Sequence, residues 1–427
     1  MSRFIIKGGR PISGTHRTPG NKNAALPMLA ACLLTDEPVT LANLPLIADV
    51  RTMIALLDHM GVEVRLDEAA RTVRLHARRI RITRLDNKLC GRVRSSILFA
   101  GPLVARCGSA VIYPPGGDVI GRRRVDTHLG GLQQLGVKVR TNGTYTFRAK
   151  GLSGARILLD EASVTGTENV VMAAVLAKGR TVLYNCACEP HVQDLCRMLI
   201  AMGARIEGVG TNLLTIDGVE RLHGVETRVG PDYVDAGSYL AAALVTGGEL
   251  DIQDVQAADF EALTRPFARF GVKWSLENGT LHVPARQRLR TAYDLGDAIP
   301  KIEDGPWPAF PSDLMSVLIV LATQTRGTTL FFEKMFESRM YFVDHLIGMG
   351  ARIVQCDPHR VVVTGTVALH NTRVASPDIR AGMALLVAAL CAKGETVILN
   401  AESIDRGYER VEEELRRLGA AIARNVE

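Results

Sequence analysis

Met349-Gly350-Ala351-Arg352-Ile353 follows an apolar stretch of helical length and leads on into Val354. An apolar residue, then glycine, then a small or β-branched residue suits a helix end that feeds directly into a strand. Glycine takes left-handed backbone there without a steric penalty. The same signature stands at Met60-Gly61-Val62-Glu63-Val64, Leu135-Gly136-Val137-Lys138-Val139, Met202-Gly203-Ala204-Arg205-Ile206, Phe270-Gly271-Val272-Lys273-Trp274 and Leu418-Gly419-Ala420-Ala421-Ile422. The six glycines lie 67 to 79 residues apart. A second signature accompanies them. Segments rich in Ala, Leu and Val (24–34, 171–177, 239–245, 318–322 and 384–392) run through a polar or Gly-containing turn into strands such as 180–185 and 395–400. An amphipathic helix such as 408–418 comes next, with Val411, Leu415 and Leu418 on one face. Each unit reads as helix, strand, helix, strand, strand. Units of this size exceed the roughly 20–50 residues of solenoid repeats. They are expected to cluster three to a domain around the helices that are apolar on all sides.

Composition agrees with a folded chain of more than one domain. A chain of 427 residues exceeds one ordinary core. With 47% apolar and 22% charged residues, disorder is excluded. Apolar runs such as 26–34 are well short of the roughly 20 residues of a membrane span. The segment Met1-Ser2-Arg3-Phe4-Ile5-Ile6-Lys7 lacks a secretory core, so a cytoplasmic protein is expected. Among eight cysteines only Cys186 and Cys188 are close, which suggests neither zinc nor a disulfide framework; reduced, buried thiols are expected. The formal charge is +6. A nucleic-acid partner would explain it, but 5% aromatic residues make a poor base-stacking surface. The charge is also uneven: residues 22–230 hold 27 basic and 19 acidic side chains, and the rest hold 24 and 26.

Four segments interrupt the repeat with polar residues. Pro19-Gly20-Asn21-Lys22-Asn23 feeds an apolar helix, and its N–H groups with Lys22 could hold an anion. Tyr113-Pro114-Pro115-Gly116-Gly117-Asp118-Val119-Ile120-Gly121-Arg122-Arg123-Arg124-Val125-Asp126 is too long for a hairpin turn and reads as a lid rather than a solvated charge run. Phe310-Pro311-Ser312-Asp313 opens an apolar helix, and local evidence favours Asp313 as a cap or first-turn acid over a general base. Arg339, Arg380 and Arg406 each stand just before or early in a repeat helix; separately each reads as a surface ion pair, together with Lys22 and Arg123 as an anion clamp.

Five stretches, in order, carry a resemblance that spans essentially the whole chain. They are Lys22-Asn23-Ala24-Ala25-Leu26-Pro27, Gly101-Pro102-Leu103-Val104-Ala105-Arg106, Thr167-Glu168-Asn169, Phe310-Pro311-Ser312-Asp313 and Ile404-Asp405-Arg406-Gly407-Tyr408-Glu409-Arg410. The sequence resembles the enolpyruvyltransferases, on the branch that acts on UDP-N-acetylglucosamine. The resemblance implies an α/β (α+β) fold: a two-domain inside-out α/β barrel of six βαβαββ repeats, three per domain, with the active site in the interdomain cleft. The domains would be 22–230, carrying a lid at about 113–126, and 1–21 with 231–427. The implied reaction moves the enolpyruvyl group of phosphoenolpyruvate to the 3'-hydroxyl of UDP-N-acetylglucosamine and releases phosphate, with no metal or organic cofactor. It is the first committed step of peptidoglycan synthesis.

By matching position, Lys22, Arg123 and Arg406 would bind phosphoenolpyruvate or the intermediate, with Arg339 and Arg380 assisting. Asn23 and Arg94 would contact the sugar nucleotide. Arg123, Arg124, Val125, Asp126 and Thr127, with Glu161, Ala162, Ser163 and Val164, would frame uridine and diphosphate; Met335 would line the substrate site. Asp313 would take the hydroxyl proton.

The chain departs from the family pattern at several places. Asp118 stands where the family usually has the cysteine that protonates C3 of phosphoenolpyruvate. A carboxylic acid can supply that proton in a poorly solvated lid, and the thiol-alkylating epoxide fosfomycin should then leave the protein unmodified. Arg124 replaces a usual proline, and Thr165-Gly166 a usual Gly-Ala. These two changes keep a second acceptor, such as UMP, as the alternative within the enzyme class. A nucleic-acid-binding repeat protein is the alternative outside it, disfavoured because the basic residues fall in short motifs beside acids. Thr15-His16-Arg17-Thr18-Pro19 departs as well, and the resemblance implies no role for it.

Overall fold

The computed structural model describes residues 2–118, 120–121 and 124–426. All six signature glycines lie at helix-to-strand turns with positive φ: 88° at Gly61, 97° at Gly136, 103° at Gly203, 71° at Gly271, 94° at Gly350 and 99° at Gly419. Side chains are strained in this region, so the recurring glycine answers a backbone requirement. The strands expected behind them are present, among them Glu63–Asp67, Arg205–Glu207 and Arg352–Gln355.

Three repeats also hold a strand of their own that the periodicity does not reveal. Arg156–Leu158 pairs in parallel with Arg180–Tyr184, with the helix Val164–Ala174 between them in the chain. Lys301–Glu303 pairs likewise with Gly327–Phe332, and Arg373–Ala375 with Glu395–Leu399. In the second repeat a single parallel bridge, Arg84 to Val111, takes this place. Three residues are too few to show an alternation, which is why these strands escape a pattern reading. With them, these repeats follow the βαβαββ order, whereas the second repeat, with its bridge, keeps a three-stranded sheet.

Three sheets are completed by strands from distant parts of the sequence. Val225–Arg228 supplies the parallel strand of the first repeat, against Pro38–Ala42. Gly14–Arg17 supplies that of the fourth, against Leu250–Gln253. Ser2–Lys7 inserts between Glu395–Leu399 and Ala421–Val426 in the last sheet.

The chain forms two compact units: Met1–Pro19, Val119–Arg123 and Pro231–Glu427 in one, Gly20–Asp118 and Arg124–Gly230 in the other. In the first unit the helices Tyr233–Thr246, Ser312–Thr323 and Ile379–Cys391 pack on one another and are buried along nearly their whole length. Helices apolar on all sides have no face for water, so they form the core. Gly237 permits the closest approach, since a β-carbon there would stand 2.8 Å from Leu314 Cδ1. Truncating a fully buried leucine such as Leu318 to alanine should cost about 2–5 kcal/mol. In the second unit Lys22–Ala31, Ala100–Cys107 and Val164–Ala174 take the equivalent positions.

Three readings need correction. The helix expected over 408–418 spans only Val411–Arg417, because Arg410 adopts φ 44°, outside helical backbone; Tyr408 packs as a buried residue ahead of it. Cys107 and Cys356 are exposed rather than buried. The Ala100–Cys107 helix, split by Gly101 and Pro102 in sequence, is a core helix too. Among the described residues no helix is long and apolar enough to cross a membrane.

Candidate active site

In the first unit, Asp313 is the second residue of the Ser312–Thr323 helix. It is the first-turn acid of the helix and not its cap, since the N-cap is Pro311 and makes no side-chain bond. Its carboxylate instead accepts from two guanidinium groups, Arg339 Nη2 at 3.2 Å and Arg380 Nη2 at 2.9 Å. The arginine side chains are 3% and 5% exposed, that of Asp313 28%. Burial works against the Arg380 charge, but Asp313, Tyr408 and Asp232 together outweigh it, so the guanidinium is held charged. Asp378 caps the Ile379–Cys391 helix and fixes the Arg380 backbone. The other end of the Arg380 guanidinium reaches Tyr408 Oη at 3.2 Å, and that hydroxyl meets Ser238 Oγ at 2.8 Å. Arg406 ends the short Ala401–Arg406 helix and is half-buried, while its neighbour Asp405 is engaged by Arg424. Met335 is 39% exposed in the connection that leads to Arg339.

In the second unit, Lys22 begins the Lys22–Ala31 helix, and its ammonium pairs with Asp49 at 2.7 Å in a nearly buried bridge. The open N-terminus expected here is already occupied, because the Asn21 side chain accepts from the N–H groups of Asn23 and Ala24. The backbone N–H groups of Asn23 and Ala24 are thus satisfied within the segment, and the Lys22 ammonium is engaged by Asp49. Asn23 is half-buried beside it.

The two segments expected to frame the nucleotide come together in this unit. Thr127 Oγ1 donates to Asp160 at 2.6 Å and lies 3.3 Å from Glu161 Oε1. Ser163 caps the Val164–Ala174 helix through the Gly166 N–H, with half-buried Ala162 and Val164 on either side. Arg94 donates to the Arg124 carbonyl at 2.7 Å, and the Arg124 side chain pairs with Asp126 at 2.6 Å. Val125 is buried at the start of the Asp126–Gln134 helix.

His128, which sequence reasoning missed, joins this site to the core. Its Nδ1 accepts from Asn169 Nδ2 at 3.0 Å, so its Nε2 carries the hydrogen toward Thr165 Oγ1 at 3.1 Å. Burial, with help from Arg94, pushes its pKa down to about 3, and the ring is neutral. Asn169 in turn accepts from the Gly101 N–H at 2.6 Å. A β-carbon on Gly101 would stand 2.7 Å from Asn169 Oδ1. The Gly101-Pro102 and Thr167-Glu168-Asn169 motifs are thus two halves of one contact.

Asp118 is half-buried in a loop. Before it, the Gly116 N–H donates to the Cys90 carbonyl at 3.0 Å. Beyond it, the Ser338 N–H donates to the Ile120 carbonyl at 3.2 Å. Arg123 lies outside the described residues.

The sequence matches the family model of EPSP synthase (3-phosphoshikimate 1-carboxyvinyltransferase) over residues 6–415. The UDP-N-acetylglucosamine 1-carboxyvinyltransferase of Treponema denticola is 52% identical over 422 residues, 99% of each chain. That of Bradyrhizobium diazoefficiens is 51% identical over 422 residues, 99% of this chain and 98% of its own. Among solved structures, the enolpyruvyl transferase NikO from Streptomyces tendae superposes with a TM-score of 0.89 at 24% identity, covering 100% of this chain and 99% of that one. EPSP synthase from Acinetobacter baumannii does so with 0.77 at 18%, covering 100% of both. These two share its fold, the two-domain inside-out α/β barrel.

Proposed function

Since the chain belongs to the EPSP synthase family of enolpyruvyltransferases, and within it to the UDP-N-acetylglucosamine 1-carboxyvinyltransferases, we propose how its own residues divide the work. The protein transfers the enolpyruvyl group of phosphoenolpyruvate to the 3'-hydroxyl of UDP-N-acetylglucosamine and releases phosphate, the first committed step of peptidoglycan synthesis. The UMP acceptor gains no support from these relatives.

The carboxyl group of Asp118 protonates C3 of phosphoenolpyruvate. Asp313 removes the proton of the 3'-hydroxyl as its oxygen bonds to C2, giving a tetrahedral ketal. Loss of a proton from C3 then restores the double bond, and the C2–O bond to phosphate breaks. Lys22, Arg123 and Arg406 hold the phosphate and carboxylate of the substrate, with Arg339 and Arg380. Asn23 and Arg94 contact the sugar nucleotide. Arg124 to Thr127 and Glu161 to Val164 frame uridine and diphosphate, and Met335 lines the site. Domains 22–230 and 1–21 with 231–427, and a cytoplasmic location, complete the reading.

The observation that carries it is the pairing of Asp313 with two buried guanidinium groups. With no substrate, Asp313 is their counter-ion, and two hydrogen-bonded cations weaken it as a base. A phosphate and a carboxylate entering the site attract both arginines. That draws the two guanidinium groups away from Asp313, whose carboxylate can then take the proton of the acceptor hydroxyl. Phosphate release with UDP-N-acetylglucosamine, against UMP, tests the acceptor. Asp313→Asn, which keeps shape and loses basicity, tests the base: retained turnover would overturn its role.

A further inference from the structure

Behind Asp313 lies a second acidic group that the reaction as described does not use. Asp304 follows the strand Lys301–Glu303, and Glu333 follows its parallel partner Gly327–Phe332. The register continues past the strand ends, with the Asp304 N–H on the Phe332 carbonyl at 3.3 Å, so the two side chains stand together. Both residues are 0% exposed. Ser312 Oγ lies 3.0 and 2.9 Å from the two Glu333 oxygens, and Glu333 Oε1 accepts the N–H groups of Met335 at 3.2 Å and Phe336 at 3.1 Å. Asp304 Oδ1 accepts the Lys334 N–H at 2.5 Å. Asp304 Oδ2 is buried with no donor.

Two adjoining carboxylates without water cannot both stay ionised, because each is an acceptor only and their charges repel. One proton between them gives Asp304 Oδ2 its missing donor and halves the buried charge. Burial, and contact with Asp304, push the Glu333 carboxyl upward, which agrees with a held proton.

The charged groups around the pair come from other elements. Arg339 faces Glu333 and opposes the shift. His359 Nδ1 meets the Glu333 backbone carbonyl at 2.7 Å, not the carboxyl. Lys301 and Lys334 are engaged on Glu303, at 2.6 and 3.5 Å. Arg339 is thus the cation that a second negative charge would draw. It is also the one that pairs with Asp313, and its Nε is buried without a partner. Ser312, bonded to Glu333, is the residue directly before Asp313.

We propose that Asp304 and Glu333 share one proton and together form a positioning pair for the general base, holding the Ser312–Asp313 turn in place and leaving Arg339 available to Asp313 and to the substrate. The proposal rests on Asp313 being that base. Ionisation of the pair pulls Arg339 toward Glu333 and unsettles the turn.

Infrared spectra and kcat–pH profiles of the full chain test it, with Glu333→Gln, Asp304→Asn and Glu333→Ala. In the wild type, the carbonyl band of protonated, buried carboxylic acids is expected at neutral pH, and it should be weaker in Glu333→Gln and Asp304→Asn, with buried Glu168 contributing alike to all three. The wild-type kcat falls at alkaline pH, about tenfold per pH unit past the midpoint of the pair. Glu333→Gln carries an amide hydrogen where the shared proton sits. It should retain most of kcat at neutral pH and lose this alkaline limb, whereas Glu333→Ala should lower kcat with little change in KM. An unchanged carbonyl band in both carboxamide variants overturns the shared proton. An unchanged alkaline limb in Glu333→Gln overturns the positioning role. Full turnover by Asp313→Asn overturns the base instead, and the infrared result still decides whether the proton is shared.

Discussion

His16 offers a stability prediction whose size follows from its surroundings. It lies in the strand Gly14–Arg17 and is 4% exposed, with its ring stacked on Tyr239 at 3.7 Å. Nε2 stands 2.6 Å from Asp235 Oδ2 and Nδ1 2.7 Å from Glu414 Oε1. Carboxylate oxygens only accept, so both ring nitrogens must donate and the ring is an imidazolium. Burial lowers its pKa, but Asp235 and then Glu414 outweigh burial and raise it from 6.5 to about 9. Below pH 6.5 the ring is charged both folded and unfolded, and the stabilisation is fully present. It is lost as pH rises through about 9, where the folded ring gives up its proton. The difference between 6.5 and about 9 corresponds to about 3 kcal/mol. For a unit of roughly 200 residues that is about 6–12 °C in Tm. Other groups titrate in this window, so the informative quantity is the difference between wild type and His16→Gln. Calorimetric scans at pH 6 and pH 9.5 should show the wild type losing about 6–12 °C more than the variant. An equal loss in both would refute the imidazolium. The strand at stake completes the fourth sheet, and the same segment carries Pro19, whose carbonyl accepts the Asp232 N–H.

Asp118→Ala should abolish turnover, and Asp118→Cys should retain it while gaining sensitivity to fosfomycin. Time-dependent inactivation of the wild type, with a mass adduct on the Asp118 peptide, would count against an acid at this position. Asp313→Asn should reduce kcat about 10²–10⁴-fold, the usual contribution of a positioned base, as read from phosphate release at saturating substrates. Gly101→Ala should destabilise the second unit by about 1–3 kcal/mol in denaturant unfolding, because its β-carbon collides with the Asn169 backbone carbonyl oxygen and meets Asn169 Oδ1 at 2.7 Å; unchanged stability would mean that the helix backbone at Asn169 shifts freely.

Much of the repeat was legible because it answers local demands. A helix that turns straight into a strand needs left-handed backbone, so glycine recurs six times and each copy has positive φ. The three core helices of the first unit were legible because uninterrupted apolar sequence has nowhere to go but inside. The three-residue parallel strands were not, and neither were the sheets closed by Ser2–Lys7, Gly14–Arg17 and Val225–Arg228. Their pairing depends on where remote segments meet, which neighbouring residues do not encode.

The site divides along the same line. Its motifs point to the reaction class, since Lys22, Asp313 and Arg406 sit in the stretches that carry the resemblance. Locally, though, Asp313 looked like a helix cap. What makes it more is two guanidinium groups 26 and 67 residues away. His16 had no account until folding placed carboxylates from 219 and 398 residues away on its two nitrogens. Asp304 and Glu333 belong to no motif, and only the parallel register of two strands sets them side by side. Chain order was enough to specify backbone turns, buried helices and the kind of chemistry. The charge state of each group depended on what folding packed against it, because desolvation and a partner's charge act through space.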